Sequence, residues 1–78
     1  MGKKNRGVYP KYTVTRRDGR DVPGEKHEAC AYFVLDIDHD RFALPALLAY
    51  AAACEVGGYK KLADDLRAWV ITVEKKYP

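Results

Sequence analysis

Residues 31–40 read AYFVLDIDHD: five uncharged, mostly β-prone residues run into three carboxylates at alternate positions, Asp36, Asp38 and Asp40. An apolar run of this kind predicts a strand that delivers an acidic cluster to one edge of the fold. Strand ends of this type serve metal-dependent phosphoryl chemistry, and they are equally ordinary strand-to-helix junctions in which an aspartate caps the helix.

Around this stretch, the near-continuous apolar character from Ala29 to Ile37 predicts a strand covered on both faces, one by helices and the other by a partner or a second sheet. Upstream, Val8 to Arg17 alternates as a strand does, with Tyr12 and Val14 on one face and Lys11, Thr13 and Thr15 on the other. Pro10 places the start of that strand after it, or the strand at an edge. Asp18-Gly19 and Pro23-Gly24 are turn signals, so the connection is a loop rather than a two-residue hairpin. Two strands alone make a marginal sheet. The expected fold class is therefore α+β: a small antiparallel sheet, completed by a hidden third strand or by dimerisation, packed on two C-terminal helices.

The first helix is expected to start at a cap provided by Asp38 or Asp40 and to run to about Glu55, ending at Gly57-Gly58. Pro45 fits if a tight turn over 39–42 precedes a regular helix whose first turn holds the proline. Leu44, Leu47, Leu48, Ala51 and Cys54 form its apolar stripe. Tyr59 to Lys75 is the clearest helical pattern, with Leu62, Leu66, Trp69, Val70 and Val73 on one face.

The 78 residues are enough for one domain, assigned to 8–78 behind a basic, flexible arm at 1–7, and too few for a large enclosed active site. A composition 47% hydrophobic and 32% charged is that of a folded chain rather than a disordered one. No run reaches the roughly 20 apolar residues of a membrane span, and no apolar stretch follows the basic N-terminus as in a signal peptide. A cytoplasmic protein is expected, with Cys30 and Cys54 as thiols. Charge divides along the chain: eight bases against three acids up to His27 (+5), four acids and no base over 28–40 (−4), and six bases against four acids thereafter (+2).

Three constellations carry candidate chemistry. Asp36, Asp38 and Asp40 could hold Mg²⁺ or Mn²⁺ if the strand continues to Asp40, and splay apart if it turns after Ile37. An EF-hand is excluded, because its required Gly and Glu positions hold Arg41 and Leu47. The strand followed by Asp-x-Asp also looks like motifs of haloacid-dehalogenase-type phosphatases and archaeo-eukaryotic primases, whose domains are far longer than this chain. His27, Cys30, His39 and Cys54, all the His and Cys present, could form a tetrahedral zinc site, although the spacing matches no familiar finger and a strand start would aim His27 and Cys30 to opposite faces. With no serine in the chain and no phosphate-binding glycine signature, enzyme activity would rest on the aspartates alone. No cofactor is implied.

The third constellation interleaves bases and aromatics. Lys3, Lys4, Arg6, Tyr9, Lys11, Tyr12, Arg16, Arg17, Arg20 and Lys26 could follow a phosphate backbone and stack bases, or keep an edge strand soluble.

From Tyr12 to Leu66 and just beyond, the segments YTVTRRDGRDVPGEKH, CAYFVLDIDHD, ALPALLAYAAACE and LADDLRAWV resemble small uncharacterised proteins of phages and prophages. That resemblance implies no activity, cofactor or site; it implies a protein that binds a host component, including a defence system, as an inhibitor or adaptor. The expected function is a non-enzymatic interaction protein, homodimeric and bound to a protein partner. Arg16, Arg17, Arg20 and Lys26 would supply charged contacts, and Tyr9, Tyr12 and Tyr32 would anchor. Nucleic-acid or nucleotide binding through the same residues is one alternative, and a divalent-metal enzyme built on Asp36, Asp38 and Asp40 is another.

Overall fold

A computed structural model describes residues 7–77. The chain forms two units, one ending at Val34 and the other beginning at Leu35. All regular structure among the described residues is helical: α1 is Ala43–Val56 and α2 is Lys60–Lys76, both in the second unit. The basic arm expected over 1–7 lies outside the described residues except for Gly7.

The expected α+β fold is overturned, since no strand occurs among the described residues, neither over Val8 to Arg17 nor over Ala29 to Ile37. The physical reason lies in where the backbone groups of the first unit go. The Arg16 amide, which a strand ladder would need, donates instead to the Asp21 carboxylate at 3.0 Å. Residues 19–30 satisfy one another in consecutive three-residue turns, Val22 to Gly19, Glu25 to Val22, Glu28 to Glu25 and Cys30 to His27, together with a 2.9 Å bond from the His27 amide to the Arg20 carbonyl. Pro10 has no amide to give. The apolar stretch after Cys30 is then left with a strand-like composition and no strand to pair with, and a lone pair of strands gains too little to displace the turns.

The second unit follows its sequence more closely. Ile37 to His39 turn, as the Asp40 amide donates to the Asp36 carbonyl at 2.9 Å, and Pro45 falls in the first turn of α1 where its missing N–H costs nothing. At the other end the Tyr59 amide bonds the Cys54 carbonyl at 2.8 Å and the Gly58 amide bonds Glu55 at 3.1 Å, the paired pattern of a Schellman cap. Gly58 supplies the positive φ of 91° that this cap requires.

Three residues then link α1 to α2 in an αα-hairpin. Its core is small: Ala43 and Ala51 of α1 against Ala63, Val70 and Val73 of α2 are the buried hydrophobics among the described residues. Arg67 clasps Glu55 across the pair at 2.6 Å, and Lys60–Asp64 and Lys61–Asp65 support α2 along its own surface. No helix among the described residues is long and apolar enough to cross a membrane.

Candidate functional site

The candidate residues fall in two places, one per unit. In the first unit, Asp18 organises the loop. Its two oxygens take the Arg16 guanidinium in a fork, Nε at 2.9 Å and one terminal nitrogen at 2.6 Å, and it also accepts the Arg20 amide at 3.0 Å. The Arg16 guanidinium, followed by the Arg20 amide, holds the Asp18 carboxyl well below the usual carboxylate range. Asp18, and then a hydrogen bond with Tyr32, in turn raises Arg16 above its ordinary value.

Arg16 is thus a fixed strut of the loop, while Arg17, Arg20 and Lys26 are exposed and form no ion pair among the described residues. Of the tyrosines expected as anchors, Tyr12 and Tyr32 are exposed, whereas Tyr9 is half-buried with the Lys11 ammonium 5.7 Å from its ring centre. Sequence reasoning missed Phe33. Expected within a strand covered on both faces, it is 82% exposed and stands between exposed Tyr32 and Val34. The signal that could have found it was the absence of any firm partner for its strand.

His27 and Cys30 do come together, Nδ1 to Sγ 3.3 Å, because a turn and not a strand joins them. Both cysteines are thiols, Cys30 exposed and Cys54 half-buried in α1. Among the described residues no three His, Cys, Asp or Glu groups are arranged to hold a metal ion.

In the second unit the three aspartates splay, the outcome expected if the chain turned after Ile37. The Asp36 carboxylate accepts the amides of Asp38 (3.2 Å) and His39 (3.1 Å), Asp40 accepts the Phe42 amide at 2.9 Å, and Asp38 lies 3.5 Å from the Lys76 ammonium. The Asp38 charge raises Lys76 above its ordinary value. Asp36 and Asp40 therefore serve the turn ahead of α1, and Asp38 faces Lys76 of α2, rather than all three meeting at a common point. His39 meets Tyr77 with ring centres 5.7 Å apart, and beside them a cleft of about 430 Å³ opens between the α1 entry and the end of α2, walled by Ile37, Leu44, Val73 and Tyr77. Nothing in the sequence signalled this cleft, because it forms only where residues 37–41 meet the start of α1 and the end of α2.

No protein family, curated protein or solved structure matches the chain.

Proposed function

We propose that this is a non-enzymatic interaction protein that docks on another protein through the apolar and basic surface of its first unit. The carrying observation is the run Tyr32, Phe33, Val34, three consecutive large side chains held in solvent outside any helix or strand. Clustered exposed aromatics mark contact surfaces, and aromatic anchors supply most of the energy where such surfaces meet. Tyr12, Val14 and Val22 add apolar area in the same unit. Arg17, Arg20 and Lys26 give a charged rim that would favour a partner with an acidic border.

The acidic helix entry supports the non-enzymatic reading, since Asp36 and Asp40 commit carboxylate oxygens to backbone amides. The resemblance to small phage proteins suggests the class of partner: a cytoplasmic host component, including a defence system, on which the chain acts as inhibitor or adaptor.

The test compares three immobilised proteins in a host-cell lysate: the native chain, Phe33→Asp, and the triple variant Arg17→Glu, Arg20→Glu, Lys26→Glu. Surface changes of this kind should shift folding stability by no more than about 0.5 kcal/mol, checked by circular dichroism. A protein retained by the native chain and lost from both variants is the expected result. A partner retained equally by all three would overturn the reading. Bound nucleic acid released steeply between about 50 and 200 mM salt would replace it with phosphate recognition.

A further inference from the structure

The cleft of about 430 Å³ in the second unit plays no part in the docking surface of the first. Its volume falls within the roughly 300–1,000 Å³ of small-molecule sites. Part of its lining is apolar: Ile37 and Leu44 are half-buried there and Val73 is buried. The rings of His39 and Tyr77, 5.7 Å apart at their centres, line it as well.

The walls also carry three carboxylates, Asp38, Asp40 and Glu74, against one guanidinium, Arg41. The Arg41 charge is drawn aside, since its guanidinium lies 4.8 Å from the centre of the Phe42 ring and Phe42 is not a wall residue. Asp40 gives one oxygen to the Phe42 amide and keeps the other uncommitted, and the Glu74 carboxylate makes no hydrogen bond or ion pair among the described residues. Uncommitted negative charge therefore remains beside an apolar lining.

The chain itself shows which charge this rim accepts. The Lys76 ammonium, on a side chain 59% exposed, stands 3.5 Å from Asp38 and 5.4 Å from the centre of the Tyr77 ring. A carboxylate beside an aromatic face holds an ammonium by Coulomb attraction on one side and by the ring quadrupole on the other.

We propose that this cleft binds a small organic cation with an apolar body, an arylalkyl amine being the simplest form. The apolar body lies against Ile37, Leu44 and Val73, and the ammonium meets the Asp40 and Glu74 carboxylates with the Tyr77 ring at its side. Other ligand classes fit these walls worse. An anion would face three carboxylates. A neutral apolar molecule would strip water from those charges and give them no partner. A bare divalent ion needs several oxygens converging on one point, and no such group of side chains occurs among the described residues.

The experiment titrates the isotope-labelled full chain, followed by amide NMR, with three probes of similar shape: phenethylamine, phenethyl alcohol and phenylpropionate. Fragments of this size bind in the millimolar range. Phenethylamine is expected to shift the amides of residues 37–41, Leu44, Val73 and Tyr77, and to bind at least about fivefold more tightly than the alcohol, with the acid weakest. Glu74 is exposed on α2 and glutamine is as good a helix former, so Glu74→Gln should keep its helical circular dichroism. That variant should weaken the amine about two- to fivefold, as loss of one exposed ion pair does, and leave the alcohol unchanged. Equal affinity for all three probes, shifts confined to other segments, no shift up to about 10 mM amine, or an amine affinity unaltered by Glu74→Gln would each overturn the proposal. Should the variant lose its helical signal, the ranking of the three probes on the native chain decides alone.

Discussion

Gly58 is the residue on which the hairpin turns. With φ at 91° it occupies backbone space that side chains disfavour, yet a Cβ there would meet nothing within 4 Å. Gly58→Ala should therefore destabilise through the backbone alone, by about 1–2 kcal/mol. Neighbouring Gly57 has φ −78°, and a Cβ there would make ordinary contacts of 3.5 Å or more. Gly57→Ala should leave stability unchanged or slightly raised. Urea midpoints of the two variants measure the contrast, and equal losses would show that space rather than φ decides the position. At this scale the sequence was legible where one residue type has one job, as with Gly58. It was not legible for Arg16, whose pairing with Asp18 depends on a turn between them, nor for His27 and Cys30, which the same kind of turn brings to 3.3 Å.

The helices illustrate what hydrophobic period does and does not reveal. α2 matched its pattern in extent, but Leu62 and Trp69, expected in the stripe, are exposed, and Ala63 is buried in their place. The positions buried in the hairpin are Ala43 and Ala51 on α1 and Ala63, Val70 and Val73 on α2, so small side chains and not the large ones of the expected stripe fill the seam. The apolar run over residues 29–37 failed as a strand because period and β-propensity describe a surface able to pair, not the presence of a partner. The helix cap expected at Asp38 or Asp40 did not form, since the N-cap of α1 is Phe42 and no side chain caps it. Asp40 accepts the Phe42 amide just ahead of α1, and Phe42 itself offers no capping group. Asp40→Ala removes the acceptor of the Phe42 amide and should cost about 1 kcal/mol, read as a lower urea midpoint. Asp40→Asn, which can still accept that bond, should recover most of it; if both lost equally, the carboxylate's charge and not its bond would be what matters.

For the molecule as a whole, apolar surface exceeds what its own small core can cover. Five small residues make the buried hydrophobic set among the described residues, while Phe33, Val56, Tyr50 and Tyr59 stand mostly in water. A chain of this size buries only a modest core, and the first unit's aromatic run is the surface on which the proposed partner would dock. The sequence disclosed the amount of apolar material and its charge division, but not its distribution between core and surface, which depended on the sheet that did not form. The most direct measurement is residue-resolved amide exchange by NMR across residues 30–36 of the isolated protein, with α1 and α2 as internal references. Rapid exchange and non-strand chemical shifts over 30–36, beside protected helices, is the predicted result. Protected amides with strand shifts there would contradict the account, because that segment would then be part of a sheet and not an open contact surface.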